Sequence, residues 1–312
     1  MDESPHVVVA GVASLGIVAR VGAPGPDPAR IRFAEWMEAG VTGVGANVAK
    51  TLRALGARVE LCTVIGTDIA GAAIRADLEA YGLLGAGAVE GDGSSLAMSL
   101  TGDGGQHTDL ALHQQVNQVK YPGAVFERLG HDADLVVLST AAFTEELVGV
   151  AGRLGVPVAF DAQVIADVND PRRAKWLQVA DIVFCSHRRL PCPPKEWIAQ
   201  MFAAYPGCLI TAIGCGALGA VMGLADGTLV RAVTEAPRPV VNTLGAGDTL
   251  FPTFLHSWLS AGNPVRALGE AVVHASYKVG DGFPSRGHLD AAALAGLMAS
   301  HPVRISLDRW AQ

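Results

Sequence analysis

The chain has 312 residues, of which 50% are hydrophobic and 17% are charged, and its formal net charge is −7. The negative charge argues against a nucleic-acid-binding surface, and no run reaches the roughly 18 uncharged apolar residues of a membrane helix. The acidic start and five cysteines without metal-ligand spacing predict a cytoplasmic protein with buried free thiols and no signal peptide.

Apolar, β-branched runs alternate with helical patterns from the amino terminus onward. Strands are predicted at 6–12 and 59–66, with a helix between them that ends at Gly56. Strands buried on both faces and separated by helices predict a mostly parallel central sheet in a three-layer α/β/α sandwich. Further strands are predicted at 134–140, 156–162 and 180–186, followed by hairpin strands around an Ala-Asp-Gly turn and by helices from residue 246 onward.

Two segments break this alternation. Residues 17–42 carry three prolines and residues 94–119 carry a hairpin pattern around GDGG, and both follow strands of the predicted sheet. We expect them to form a small β lid that excludes water from a site beneath it. Without internal repeats or a linker, residues 1–312 are predicted to be a single domain with this lid.

The stretch NTLGAGDTLF, at 242–251, predicts a glycine-rich turn between a strand and a helix that begins near Ala246. Its unpaired N–H groups lie at the positive end of the helix dipole and suit an anion such as phosphate. Asp248 among these donors is either a helix cap or a base that takes a proton from an attacking hydroxyl.

This turn resembles the carboxyl-terminal signature of the ribokinase-like (PfkB) sugar and nucleoside kinases, Asp-Thr-x-Gly-Ala-Gly-Asp, here with Asn242 in the first position. Their amino-terminal signature, a Gly-Gly turn followed by Asn-x-Ala and a helix, is similar to TGVGANVAKTLRALG at 42–56. The likeness covers about residues 6 to 295. It implies a ribokinase-like fold with a β lid, and ATP-dependent phosphorylation of a hydroxymethyl group on a sugar or nucleoside-like molecule.

The resemblance also implies roles for single residues. Asp248 would be the catalytic base, and the amides of Gly245, Ala246 and Gly247 would form the anion hole. Asn47 would contact the substrate, although a helix N-cap is the alternative for this asparagine. The other residues assigned to the substrate are Ser14 and Gly43.

The stretch LITAIGCGALGA resembles the family's nucleotide loop. The candidates for ATP binding there are Thr211, Gly214, Gly216 and Gly219. Val272 would flank the adenine, and core packing is its alternative. Asp161, which follows a predicted strand, is either a site residue or a polar strand-end cap.

Several positions depart from the family pattern. Gly16 stands where an aspartate grips sugar hydroxyls, so the acceptor contact must come from elsewhere or the acceptor differs. Ser186 and Arg189 replace the Asn and Glu that organise Mg²⁺, so no metal ligand is predicted at these positions. Mg²⁺ would then be held by the nucleotide phosphates, Arg188 or Arg189 would neutralise charge, or activity is lost.

Three further expectations follow from single features. Asn242 weakens the monovalent-cation site of some relatives, and Pro252 is expected to bend the catalytic helix or free a carbonyl. An outer lid face with Phe33, Trp36 and Met37 predicts a homodimer. Lid residues that could replace the missing aspartate are Glu35, Trp36, Asp109, His113 and Gln114.

Two other classes of function compete with the kinase. The altered positions favour a degenerate kinase fold that binds a metabolite or nucleotide as a sensor, without phosphate transfer. A dinucleotide-dependent oxidoreductase could use GVGANV at 43–48, but Val48 occupies the third glycine position and no acidic strand tip follows about 20 residues later.

Overall fold

A ten-stranded sheet forms the middle layer of the protein in the computed structural model, which describes residues 4–22, 33–102 and 107–310. The strands are β1 (His6–Ala10), β2 (Ser14–Arg20), β3 (Trp36–Thr42), β4 (Arg58–Gly66), β5 (Ala88–Gly91), β6 (Ser95–Thr101), β7 (His107–Leu112), β8 (Leu135–Leu138), β9 (Val158–Val164), β10 (Ile182–Ser186), β11 (Ile210–Gly214), β12 (Ala220–Leu224), β13 (Thr228–Val233) and β14 (Arg304–Arg309). The α-helices are α1 (Val44–Ala54), α2 (Ile69–Ala80), α3 (Gln114–Asn117), α4 (Gly123–Gly130), α5 (Val148–Ala151), α6 (Ala174–Val179), α7 (Pro194–Ala204), α8 (Ala246–Ala261), α9 (Pro264–Lys278) and α10 (Ala291–Ser300).

The strand order of the central sheet is β14-β13-β12-β11-β10-β9-β8-β1-β4-β5. The strands from β11 to β5 are parallel, whereas β12, β13 and β14 join the sheet as antiparallel strands. The predicted mostly parallel sheet is confirmed. The carboxyl ends of its parallel strands therefore meet at one edge, which is the usual place for a site in such a sheet.

Alternation along each strand divides the core into two layers. In β1, Val8 belongs to one apolar cluster, while Val7 and Val9 belong to the cluster on the opposite face. Helices α1, α8 and α9 cover the second cluster, and Trp176 of α6 and Trp197 of α7 close the first. This is the three-layer arrangement that the continuous apolar strands predicted.

A separate four-stranded sheet, in the order β3-β2-β6-β7, forms the lid. The expected lid segments began at residue 17 and ended at 119, but the sheet begins at Ser14 and ends at Leu112. The difference arises because Ser14 already pairs with Thr42 and Ser95, and because residues 114–117 form α3. The prolines at 24, 26 and 28 lie outside the described residues.

The lid has an inner face toward the central sheet and an outer face toward solvent. On the inner face, a Cβ added to Gly40 would lie 3.0 Å from the Phe283 ring, and one added to Gly282 would lie 3.4 Å from Trp36. Trp36 therefore belongs to the inner face, which corrects its grouping with Met37. Strand register gives the outer lid face these residues: Ile17, Met37, Leu96, Met98, Leu110 and Leu112.

Other sequence-based expectations concern cysteines, membranes and Pro252. All five cysteines are free, and four of them are buried. Among the described residues, no helix is long and apolar enough to cross a membrane. Helix α8 continues through Pro252, whose nitrogen cannot donate to the carbonyl of Asp248 one turn earlier.

Candidate active site

The amino terminus of α8 lies beside the carboxyl edge of the parallel strands. Gly245 is its N-cap, with φ of 80°, and an added Cβ would lie 2.5 Å from the carbonyl oxygen of Pro284. Both the left-handed conformation and this close approach require glycine. The turn of residues 243–247 is thereby pressed against the segment that follows α9.

The amides of this turn are not equally available. The N–H of Ala246 donates to the carbonyl of Thr243 at 3.3 Å, whereas those of Gly247 and Asp248 have no acceptor in the part of the chain that the structure describes. Gly247 is exposed, and a Cβ added to it would meet nothing within 4 Å. The N–H of Gly245 likewise has no acceptor among the described residues, so the open donors at the positive end of α8 include those of Gly245, Gly247 and Asp248, while that of Ala246 is engaged.

Asp248 is held by a side chain from the opposite part of the chain. Nδ2 of Asn47 donates to its Oδ2 at 2.6 Å and also to Oγ1 of Thr42 at 3.1 Å. The protein packed around Asp248 raises the pKa of its carboxyl, while the Asn47 hydrogen bond and the charge of Lys278 lower it. The arrangement fixes an ionisable oxygen next to open N–H donors.

The start of α1 brings Asn47 to this position. Gly43 is the N-cap of α1, with φ of 99°, so Asn47 lies inside the helix and its N-cap alternative is wrong. A Cβ added to Gly45 would lie 2.4 Å from the carbonyl carbon of Gly11, so glycine permits α1 to begin directly against the end of β1. Asn47 is buried, and its orientation is determined by Thr42 and Asp248.

Ser14 lies at the base of the lid in a chain of polar side chains. Its Oγ is 2.6 Å from Oγ of Ser95, which is 2.6 Å from Nδ1 of His113. Burial lowers the pKa of His113, which favours its neutral form. A Cβ added to Gly16 would lie 2.5 Å from Cγ2 of Thr42, so the methyl group of Thr42 occupies the space beside this glycine.

Asp161 lies near the end of β9, where only 8% of the residue is exposed. Its Oδ1 accepts from the N–H of Gln163 at 2.8 Å. Burial and then the negative charge of Asp248 raise the pKa of Asp161 to about 7. Asp161 and Asp248 therefore lie near the same edge of the sheet, and the charge of Asp248 acts on Asp161. The position of Asp161 at a strand end predicted a site residue or a cap, but it did not predict this interaction.

The segment after β10 carries the altered metal motif. Oγ of Ser186 accepts from the N–H of Arg188 at 3.4 Å, and Arg189 is exposed. Nη1 of Arg188 lies 2.7 Å from Nε2 of His107, so this segment contacts the lid. No group of three or more His, Cys, Asp or Glu residues is arranged to bind a metal within the described ranges.

The glycine loop after β11 agrees only partly with the proposed nucleotide residues. Gly214 ends the strand and its carbonyl binds Nδ1 of His187 at 2.8 Å, while Gly216 and Gly219 have φ of 60° and 77°. Thr211 is fully buried within β11, 3.4 Å from Sγ of Cys208, and is not brought to this loop. Val272 lies within α9 and is buried in the core, and its contact with adenine stays a prediction.

Sequence reasoning missed Lys278, the last residue of α9. It is fully buried, and its Nζ has no hydrogen-bond partner among the described residues. A lysine in the last turn of a helix is ordinarily a solvated residue that complements the helix dipole, so its position in the sequence gives no sign of burial.

Comparisons with known proteins agree with this geometry. The pfkB family carbohydrate kinase model matches residues 34–282, which is most of the chain. An ATP-dependent ribose-1-phosphate kinase of Halopiger xanaduensis is 29% identical over 233 residues, or 72% of this chain and 76% of that protein. The fold is similar to that of a microbiome-derived acarbose kinase, with a TM-score of 0.80 at 21% identity over 95% of this chain and 99% of the other.

The Arabidopsis thaliana ribokinase that was solved with ribose and ATP has the same fold. Its TM-score is 0.78 at 19% identity, over 95% of this chain and 99% of the ribokinase. Sequence identities of 19% and 21% show only that the folds are alike. The family model, in contrast, matches the sequence itself. The chain belongs to the pfkB family of carbohydrate kinases.

Proposed function

We propose that this carbohydrate kinase transfers the γ-phosphoryl group of ATP to a hydroxymethyl group of a sugar or nucleoside-like acceptor, with Asp248 as the base. The observation that carries the proposal is the Asp248 carboxylate, held at 2.6 Å by Asn47 beside the open N–H groups of Gly247 and Asp248. A non-catalytic sensor gains no support from the comparisons.

In the proposed reaction, Asp248 accepts the proton as the O–H bond of the acceptor breaks. The acceptor oxygen forms a bond to the γ-phosphorus, and the bond from that phosphorus to the bridging oxygen breaks, which releases ADP. The N–H groups of Gly247 and Asp248 would bind the oxygens of the transferring group, where negative charge changes most. Asn47 would orient the carboxylate and keep it ionised.

The glycine loop supports ATP as the phosphoryl donor. A Cβ added to Gly219 would lie 2.0 Å from the carbonyl oxygen of Ala232, so only glycine allows this turn beside the hairpin strands. The loop lies at the end of β11, on the same edge as α8, and His187 anchors it. Gly214, Gly216 and Gly219 would hold the nucleotide, without Thr211.

The residues at this site fit a divalent cation better than a monovalent cation. A divalent cation would neutralise charge on the nucleotide phosphates, and Asp161 is the buried carboxylate near Asp248 that would face it. Asn242 fits a monovalent cation poorly, because its Nδ2 donates to the carbonyl of Gly282 at 2.7 Å and its Oδ1 accepts from the N–H of Leu244 at 3.0 Å. Both polar atoms of its side chain are therefore engaged within the protein.

For the acceptor, a sugar that already carries a phosphate is the first candidate. A relative is named a ribose-1-phosphate kinase. Gly16 removes the carboxylate that would repel such an anion, and Ser14, Ser95 and neutral His113 are the polar groups at the base of the lid. Neutral pentoses and nucleosides are the competing acceptors.

An acceptor panel with the Asp248→Asn variant tests the proposal. ATP consumption is measured with ribose 1-phosphate, ribose, other sugars and nucleosides, with and without Mg²⁺. Asp248→Asn should lower turnover on the best acceptor by about 10²-fold or more, because it removes a positioned base. Asp226→Asn, in the β12–β13 hairpin turn, is the matched control and should keep wild-type turnover.

Two outcomes would contradict the proposal. Turnover of Asp248→Asn within a few-fold of the wild-type value would show that Asp248 is not the catalytic base. ATP binding by calorimetry without phosphate transfer to any acceptor would instead favour the sensor.

A further inference from the structure

The ammonium group of Lys278 is a buried charge to which the proposed reaction assigns no role. The residue has no exposed surface, and no described atom accepts a hydrogen bond from its Nζ. Burying an ammonium without a hydrogen-bonded partner is costly, and burial lowers the pKa of Lys278 to about 8. At neutral pH the protein therefore maintains a positive charge here at the expense of stability.

The charged groups around Lys278 leave one carboxylate uncompensated. Asp281 is bonded to Arg238, whose Nε also donates to the carbonyl of Tyr277 at 2.9 Å. Of the two buried histidines nearby, burial is the main reason that the pKa of His274 is lowered to about 3 and that of His288 to about 4, so both are neutral. Arg238 and Asp281 balance each other.

Asp248 is the other carboxylate whose charge acts on Lys278, and the effect is mutual. On its remaining sides Asp248 faces neutral Asn47 and the acidic Asp161. Among the described residues, Lys278 is thus the positive side chain whose charge favours the ionised form of Asp248.

Backbone hydrogen bonds join the end of α9 to the glycine turn. The carbonyl of Val279, next to Lys278, accepts from the N–H groups of Val241 and Asn242 at 2.8 and 3.1 Å. Asn242 also donates to the carbonyl of Gly282, and Pro284 packs against Gly245. Lys278 is therefore fixed behind the turn that carries Asp248.

We propose that Lys278 is a positioning residue whose buried ammonium group supplies an internal cation behind the turn of residues 243–247 and favours the ionised form of Asp248 for proton transfer. The inference rests on the proposed function, since it requires Asp248 to be the base. A fixed ammonium performs this task without a dissociable cation, which agrees with the internal engagement of Asn242.

The test replaces Lys278 with methionine, which keeps an unbranched chain and removes the charge. Lys278→Met should lower turnover at pH 7 by about tenfold and move the acid limb of the kcat profile up by about one pH unit, because an opposite charge near Asp248 is lost. The melting temperature should stay the same or rise, since an unpaired buried charge gives way to an apolar side chain.

The matched control is Lys50→Met. Lys50 is also buried, but its Nζ lies 2.6 Å from Asp77 and donates to the carbonyl of Val41 at 3.0 Å. This variant should lose stability, because it leaves Asp77 unpaired, and its acid limb should not move. An unchanged acid limb in Lys278→Met would overturn the proposal.

Amine rescue tests the same point when Lys278→Met folds poorly. Lys278→Ala leaves a cavity that ammonium or ethylamine can enter, and added amine should restore turnover in this variant but not in Lys278→Met. Absence of rescue in a folded Lys278→Ala protein would count against the internal cation. Wild-type turnover in Asp248→Asn would instead refute the proposed function itself, so the two failures are distinguishable.

Discussion

Asn47 and Asp248 are 201 residues apart in the chain, yet a hydrogen bond of 2.6 Å between them influences the protonation of the Asp248 carboxyl. Desolvation favours the protonated form of Asp248, whereas an N–H donor favours the ionised form. The amide uses one N–H for Asp248 and the other for Thr42, so Thr42 determines its direction. The base is thus tuned by a neutral side chain as well as by the charge of Lys278.

Replacing Asn47 with alanine should move the acid limb of the kcat/KM profile to higher pH. A base works only when deprotonated, so the rate falls as the pH drops through the pKa of Asp248. Loss of the Asn47 donor raises that pKa further above its ordinary value of about 3.9. The measurement is kcat/KM from pH 4 to 9, with a rate loss of about tenfold or more on the acid side.

Thr42→Val is the control for this prediction. It removes the partner that orients Asn47 but keeps the donor to Asp248, so its acid limb should move less than that of Asn47→Ala. Identical pH profiles for wild type and Asn47→Ala would show that this hydrogen bond does not set the pKa of the base.

On the inner face of the lid, position 16 has no room for a side chain larger than that of glycine. Gly16→Ala should cost roughly 1–3 kcal/mol of unfolding free energy, because its Cβ would lie 2.5 Å from Cγ2 of Thr42. Thr42→Ser removes that methyl group and keeps the hydroxyl that binds Asn47, so the double variant should recover most of the loss. Urea unfolding of the four proteins gives the coupling energy, and simple additivity would contradict the steric account.

At the level of elements, sequence patterns located the strands but not all their ends. The strand predicted at 59–66 is Arg58–Gly66 in the structure. The strand predicted at 6–12 is only His6–Ala10, because Gly11 packs against Gly45 instead of continuing the strand. The turn before α8 was predictable because glycines and an acid share it. Lys278 was not, since burial of one charge depends on how α8 and α9 pack, which local sequence does not encode.

Asp68, the N-cap of α2, does more than cap that helix. Its Oδ1 accepts from the N–H of Gly71 at 2.7 Å and from Oγ of Ser94 at 2.7 Å, and its Oδ2 accepts from the N–H of Ser94 at 2.9 Å. Asp68→Ala should therefore lower the unfolding free energy by about 2 kcal/mol, the upper end for a lost cap. Chemical denaturation at pH 7 measures it.

Asp290→Ala is the matched control, because Asp290 caps α10 through Ala293 alone and should cost less. The Ser94 hydrogen bonds lower the pKa of Asp68, so its stabilisation is present above the unfolded pKa of about 3.9 and is lost as the pH falls through the folded value. A destabilisation of equal size at pH 7 and pH 2 would contradict this account.

On the scale of the whole molecule, the lid has faces of opposite chemistry. Its inner face reaches the body through Glu38, 2.5 Å from Arg286, and through His107, 2.7 Å from Arg188. The outer lid face carries apolar side chains in strand register, with Met37 66% and Leu110 61% exposed. A contiguous exposed apolar surface of this kind marks an interaction site.

We expect a second copy of the chain to cover the outer lid face. Within the described strands, register places no charged side chain on this face, so it suits an isologous two-fold contact between two copies. Light scattering after size-exclusion chromatography should give a mass near twice the 32.2 kDa of one chain. Leu110→Glu with Leu112→Glu should shift it to the mass of a monomer, because two buried charges on each copy would face one another.

The control for this prediction uses an apolar residue at the far edge of the central sheet. Leu307 of β14 is 65% exposed, so Leu307→Glu adds a charge at a similarly exposed site and should leave the dimer intact. A monomeric wild-type protein would show that no second copy of the chain covers the outer lid face. A dimer that persists in the double variant would mean that the copies meet elsewhere. Because β2 carries both Gly16 and Ile17, a dimer through the outer lid face would also restrain the inner face, where we expect the acceptor to bind.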